Sequence, residues 1–336
     1  IQPLLLVIAA AGFDRLIGDP LWSPHPVVWM GKSISILRRR VEDWSGDQPL
    51  LLRIGGVAIT LALTLGSASV GWLLERLALH TQGGLQVIAM IALVTGLASA
   101  LAAKSLEQSV LNVLSALPST EGEDLSAARE KLSWIVGRDT TSLTKAEILR
   151  ATAETASENA VDGLFAPLFW MLVGACLWSL GFITAPGPLA LAWGFKAAST
   201  LDSMLGYRRG RLLWLGTAGA RLDDLLTWMP CRFVMLSLPM VSKPLWQWSS
   251  LVIHAESEGR HDSSPNAGRS EAIYAHCAGL QLGGTNHYGH RSVDKPVLGA
   301  AYPPADADSV FRILALTRRL ELFWIVIAAL LSWKLQ

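Results

Sequence analysis

The sequence predicts an all-α polytopic integral membrane protein, with several transmembrane or re-entrant helices and cytoplasmic helical segments between them. Three observations carry that expectation. Hydrophobic residues make up 51% of the 336 residues and charged ones only 16%, against about 25% charged in an ordinary soluble domain. Mean hydropathy is positive, at +0.38. The apolar residues also gather in runs, two of them near the roughly 20 residues a bilayer requires, separated by long polar stretches.

The apolar segments fall at about 1–12, 54–79, 85–103, 163–195, 233–248 and 320–335, and the polar ones at about 13–53, 104–162, 196–232 and 249–319. Together they form a single membrane-embedded domain, 1–336. The first apolar run is short and lacks a basic leader, so it reads as an anchoring helix rather than a cleaved signal. Ile54–Leu74 and Leu85–Ala103 are long enough to span, and the short link "ERLALHTQGG" makes them a hairpin. Gly163–Phe195 is interrupted by "APGP" at Ala185–Pro188; proline and glycine break a helix there, leaving two short membrane helices or a re-entrant pair. Phe233–Trp248 is short and carries Pro239, Lys243 and Pro244, so it is expected at the interface or partly inserted. Leu320–Leu335 follows Arg318 and Arg319. The hairpin and the broken pair each return the chain, so the first three polar segments share one face, and the fourth joins them if Phe233–Trp248 does not cross. The "RRR" at Arg38–Arg40 and most other basic residues make that face cytoplasmic.

Composition narrows the function. A net charge of +1 excludes a nucleic-acid partner, which needs a basic surface. Cys176, Cys231 and Cys277 have no metal or redox spacing. Fourteen tryptophans suit an interfacial aromatic belt. There is no phosphate-binding GxxxxGK[ST] or GxGxxG loop, no HExxH and no nucleophile elbow. "GLQLGG" at Gly279–Gly284 reads as a helix end with a glycine cap.

What remains is charge beside apolar segments. "DRLIGDPLWSPHPVVWMGK" holds Asp14, Asp19 and His25 among Pro20, Pro24 and Pro26, which favour a rigid extended turn. "KLSWIVGRDTTSLTKAEILRATAETASENAVDG" holds Arg138 and Asp139 and then a capping box, "TKAE" at Thr144–Glu147, that starts a helix running to Asp162. One face of that helix carries Arg150, Glu154, Glu158 and Asp162 at successive four-residue steps, with Asn159 beside them. Further clusters hold Lys196, Asp202, Tyr207 and Arg208; then Arg221, Asp223, Asp224 and Arg232; then Asn266, Glu271, His287, Tyr288 and Lys295. Ionisable groups beside a membrane are costly unless paired or functional. Carboxylates suit Mg²⁺, and arginine and lysine suit phosphate oxygens, so the clusters point to phosphate chemistry at a membrane surface.

At these residues the chain resembles adenosylcobinamide-phosphate synthase, the CbiB/CobD family of cobalamin biosynthesis. The stretches that carry the resemblance are "DRLIGDPLWSPHPVVWMGK", "KLSWIVGRDTTSL", "ETASENAVDGLFAPLFW", "KAASTLDSMLGYR", "ARLDDLLTWMPCR" and "SSPNAGRSEA" leading to "LQLGGTNHYG" and "DKPVLG". They cover most of the chain between Asp14 and Gly299, in the family's order. Ser199, Thr227, Cys231, Arg269 and Ser270 depart from the family's usual residues. The resemblance implies a multi-pass enzyme of the bacterial inner membrane with its site facing the cytoplasm. It implies that adenosylcobyric acid, a corrinoid, is joined to (R)-1-aminopropan-2-ol phosphate through an amide, with ATP and Mg²⁺. The expected partners are the corrinoid, aminopropanol phosphate and the lipid bilayer, with other late cobalamin-pathway enzymes or a second copy of the chain as open candidates.

On this reading ATP converts a corrinoid carboxylate into an acyl phosphate, and the amine displaces phosphate. Glu154, Glu158, Asp162, Asp223 and Asp224 are expected at Mg²⁺ or the amine. Arg138, Lys196, Arg208, Arg221 and Lys295 are expected at phosphates, and Asp139, Asn159, Asp202, Tyr207, Asn266 and Glu271 at substrate. His25 or Glu158 is expected to act as general base, with Asp14 and Asp19 in support. Two rivals stand beside the ligase. A transporter for an organic anion would carry charge along a path at mid-membrane, and a non-catalytic membrane sensor would tolerate loss of the clusters.

Overall fold

The computed structural model describes all residues except 1, 20–24, 121, 123, 289–290 and 335–336. It is an all-α polytopic membrane protein carrying one β-hairpin. The helices are α1 (Pro3–Ile17), α2 (Pro26–Ser45), α3 (Pro49–His80), α4 (Gly83–Ala98), α5 (Ala103–Ser115), α6 (Ser126–Ser133), α7 (Lys145–Ala160), α8 (Ala166–Ser179), α9 (Pro188–Leu205), α10 (Leu212–Leu215), α11 (Thr217–Ser242), α12 (Trp248–Gly259), α13 (Ala267–Ala278) and α14 (Ala307–Lys334). Strands β1 (Leu282–Tyr288) and β2 (Arg291–Leu298) lie between α13 and α14 and pair antiparallel. Pro3, Pro26, Pro49 and Pro188 each open a helix, where a missing N–H costs nothing and the fixed φ is already helical.

Two compact units share the chain. The first comprises Ile1–Lys104, Asp162–Thr227 and Ile325–Gln336; the second comprises Ser105–Val161 and Trp228–Trp324. In the first, α3 packs along α9 and against α2, α4 and α10. Gly56 and Gly71 of α3 permit this closeness, since a Cβ at Gly56 would strike the Leu215 carbonyl and one at Gly71 would lie 2.9 Å from the Ala190 Cα. The core between these helices is Ile34, Ile59, Leu63, Leu201, Leu205, Leu212 and Leu215. The outer face of α3 is apolar and exposed at Ile54, Val57, Leu61, Leu65, Leu73 and Leu77, a stripe at helical spacing that suits lipid. In the second unit α13 packs on α7, α12 and both strands, while Val113, Ala128, Leu132, Leu143, Ile148 and Ala151 form a separate core.

Among the described residues, three helices are long and apolar enough to cross a membrane: Pro49–His80, the continuous run Lys145–Ser179, and Thr217–Ser242. A fourth span arises if Gly83–Ala98 and Ala103–Ser115, bent by 41°, count as one. Several expectations change in detail. Leu85–Ala103 is not one straight helix, because the chain breaks after Ala98. Phe233–Trp248 is not a separate interfacial piece. Its first ten residues are the end of α11, which starts at Thr217 and continues through Pro230 and Pro239. "GLQLGG" does end a helix at Gly279 in the left-handed conformation (φ 70°), but Leu282 onward is strand. Arg150 and Glu154 of α7, far away in sequence, supply contacts that hold that strand. Pro20 and Pro24 lie outside the described residues, as do the side chains of His287 and Tyr288.

Candidate functional site

Helix α7 starts as its sequence dictates. Thr144 Oγ1 accepts from the Glu147 N–H at 3.3 Å, and the Thr144 N–H donates to Glu147 Oε2 at 2.8 Å, a complete capping box. Its α-helical turns end at Ala160, and Val161–Phe165 continue as a π-helix. The four-residue repeat that aligned Glu154, Glu158 and Asp162 therefore holds for the first two only. A π-turn inserts a residue into the register, and such turns recur at functional positions.

The second unit gathers charge around Glu154, which is 5% exposed. Arg138 Nη2 donates to Glu154 Oε2 at 2.9 Å, and the Gly283 N–H donates to Oε1 at 3.1 Å. Arg150 Nε lies 3.9 Å from the same oxygen. Arg150 also donates to the Gly283 carbonyl and, at 2.8 Å, to the Thr285 carbonyl. The β-hairpin is thus gripped by two side chains one turn apart on α7. Gly283 is required there: its φ is +80°, and a Cβ would run into the Pro296 carbonyl. β2 delivers Lys295, whose Nζ donates to Glu271 Oε1 at 3.0 Å and lies 3.8 Å from Asp262 Oδ2.

Glu271, on α13, is 1% exposed. Burial pushes its carboxyl up to about 8; the Lys295 ammonium pulls it back, and the charges of Glu158 and Glu154 add to the rise. Burial works against the Lys295 ammonium too, but the carboxylates of Glu271, Glu158 and Asp262 outweigh it and hold the ammonium above its ordinary value. Lys295 therefore stays charged, and Glu271 is the member of the pair that titrates. Arg138 Nε and Glu271 Oε2 are buried here without a hydrogen-bond partner among the described residues. Asp262 was not anticipated, although it lies in the same "HDSSPNAG" stretch as Asn266.

Other expected residues of this unit take structural parts. Asp139 is exposed and accepts from the Thr141 N–H and hydroxyl at 2.9 and 2.8 Å, bonds that hold its carboxyl below the usual range. Asn266 is buried, and its Oδ1 accepts from Arg232 Nη1 at 2.6 Å, which fixes the loop before α13. Asn159 is half-buried next to Glu158.

The first unit has its own constellation, centred on Lys196 of α9. The charges of Asp162, Asp19, Asp223 and Asp14 all act on that lysine, and Asp224 acts on Asp202. Asp14 is buried in the last turn of α1, and its Oδ2 accepts from the Ala103 N–H at 2.9 Å. His25 caps α2: its Nδ1 accepts from the Val27 N–H at 3.3 Å, and its Nε2 lies 3.0 Å from Asp19 Oδ1. Tyr207, Arg208 and Arg221 are exposed.

Among the described residues no three His, Cys, Asp or Glu side chains converge closely enough to hold a metal by themselves. Glu154 is committed to Arg138 and Gly283, so it does not fit a metal. Asp162 and Asp223 both lie where their charge acts on Lys196.

A family model described as CobD/Cbib protein matches residues 7–317. The chain belongs to this family. Among its CobD/CbiB relatives, cobalamin biosynthesis protein CobD of Synechocystis sp. is 38% identical over 99% of this chain and 94% of its own length. The protein of the same name from Pelobacter propionicus is 41% identical over 86% of this chain and 83% of its own. Cobalamin biosynthesis protein CbiB of Salmonella choleraesuis is 38% identical over 90% and 89%. No solved structure matches. Both constellations fall inside the CobD/CbiB match, from Asp14 to Lys295.

Proposed function

We propose that the protein acts in cobalamin biosynthesis as an amide-forming ligase, joining adenosylcobyric acid to (R)-1-aminopropan-2-ol phosphate with ATP and Mg²⁺. Family membership over residues 7–317 supports the pathway. The chemistry rests mainly on one observation: a mixed-charge cluster in which Glu154 and Glu271 are buried and Glu158, Arg138, Arg150 and Lys295 are half-buried around them. Burying that many charges is expensive, and capping or surface solubility does not require it.

In this reading the second unit handles the amine. Glu158 and Glu271 face its ammonium, and Arg138 and Lys295 face phosphate oxygens, with the arginine held in line by Glu154. In the first unit, Lys196 sits among aspartates and serves the nucleotide phosphates, while Asp162, Asp223 and Asp224 are the carboxylates for Mg²⁺. The metal would neutralise polyphosphate charge. The protein would lie in the inner membrane with these polar segments toward the cytoplasm. Contacts of Arg150 and Glu154 with Gly283 already join the polar segments 104–162 and 249–319 into one body.

The test is direct: purified protein, adenosylcobyric acid, aminopropanol phosphate and Mg·ATP, with product read by mass. Amide should form only with nucleotide and divalent metal present. Undiminished product after ATP is omitted and a chelator added would overturn the ligase.

A further inference from the structure

The orphaned oxygen of Glu271 has a chemical consequence. One carboxyl oxygen is anchored by Lys295 at 3.0 Å, and the other, Oε2, is buried with no hydrogen-bond partner among the described residues. A structural carboxylate would be bonded through both oxygens, as Glu75 is by the N–H groups of Gly187, Leu189 and Ala190, because a buried acceptor left open costs stability. Of the two expected bases, His25 has partners on both ring nitrogens, and Glu158 lies where its charge acts on Glu271 and Lys295.

We infer that Glu271 is the catalytic base that takes the proton from the attacking ammonium, through Oε2, with Lys295 as the positioning residue that holds Oε1. The inference rests on the ligase reading. The ammonium gives one proton to the Glu271 carboxylate and becomes an amine. The amine nitrogen attacks the carbonyl carbon of the acyl phosphate; the C–N bond forms and the C–O bond to phosphate breaks. The nitrogen's second proton leaves with the phosphate.

The surroundings suit this task. Burial and the charges of Glu158 and Glu154 on α7 raise Glu271 to about 8, and Lys295 on β2 opposes them. Arg150 of α7 is turned to the hairpin carbonyls. Asp294 of β2 is bonded to the Thr285 hydroxyl. Asp262, in the loop before α13, lies beside Lys295. On α12, Glu256 pairs with Arg269 and Glu258 with His276, while His254 is bonded to Ser250. On α14, Arg312 donates to the Ala278 carbonyl. A base that titrates near the working pH is the most effective one.

Hydroxylamine separates base catalysis from everything upstream, because it is neutral near pH 7 and attacks acyl phosphates without giving up a proton first. In Glu271→Gln, amide formation from aminopropanol phosphate at pH 7 should fall by about 100-fold or more. ATP-dependent hydroxamate formation should stay close to wild type. Equal loss of both products, or no loss of amide, overturns the assignment. The wild-type protein gives a second test that does not depend on how the variant folds. Its ratio of amide to hydroxamate should climb with pH and level off near 8, and a flat ratio, or one that climbs on to the amine's own higher value, overturns it as well. Wild-type protein yielding neither product would instead bring down the ligase reading itself.

Discussion

The two charged constellations are built on opposite plans. In the second unit, carboxylates are answered by fixed partners: Glu154 by Arg138, Arg150 and the Gly283 N–H, and Glu271 by Lys295. In the first, one lysine, Lys196, meets the charge of four aspartates, of which Asp14 is also held by the Ala103 N–H and Asp19 by His25. Fixed pairs hold geometry whatever is bound, and removing one member leaves a buried charge exposed to the low dielectric. A surplus of carboxylates is tolerable only while a cation is near. The first plan suits orienting a substrate; the second suits a site that fills and empties with a metal–phosphate load.

That contrast can be broken by substitution. The largest effect is expected for Arg138→Met, which strands Glu154 in a buried site and should destabilise the fold by about 3–5 kcal/mol. Thermal melting of the purified variant in the same detergent, with and without Mg²⁺, should show a loss that metal does not restore. Lys196→Met should lower turnover by roughly 100- to 1,000-fold, the scale of removing one electrostatic stabiliser. Its melting temperature should drop in metal-free buffer and recover with Mg²⁺. If both variants respond alike to metal, the two plans are not different. Asp223→Asn should raise the Mg²⁺ concentration for half-maximal rate by about tenfold, the scale of disturbing a carboxylate around a metal, whereas Glu154→Gln should leave that concentration where it is.

The smallest effect concerns a part-buried pair in the second unit. Glu256 accepts two hydrogen bonds from Arg269, which hold its carboxyl below the ordinary 4.5. Its folded value is therefore depressed. The stabilisation is present above pH 4.5 and lost as pH falls through the lower folded value. Glu256→Gln should melt a few degrees lower at pH 7, the scale of a surface pair. The gap should close in acid, and a gap that persists there would show that the pair acts through packing.

Much of this was open to reading along the chain. The capping box at Thr144 and the break at Ala185–Pro188 follow from local rules, because backbone geometry and missing N–H groups act within one or two turns. The lipid-facing stripe of α3 follows from hydrophobic period. Charge clusters could be named, since ionisable groups are rare in so apolar a chain. Their partners could not be. Glu154 was set beside Glu158 and Asp162 by four-residue spacing, but the π-turn after Ala160 ends that repeat. Arg208 and Arg221, expected at phosphates, are exposed.

The sequence by itself determined the fold class, the start of α7 and the resemblance to the CbiB/CobD family, because composition, periodicity and short motifs are properties of neighbours in the chain. Only the tertiary structure decided that Glu271 is buried with one oxygen open, that Lys295 arrives on a β-hairpin, and that the hairpin is gripped by Arg150 and Glu154. Those facts join residues more than a hundred positions apart, such as Glu154 and Gly283. Desolvation, which sets the proton affinity of Glu271, depends on what the rest of the chain places around a group, and spacing along the chain does not encode it.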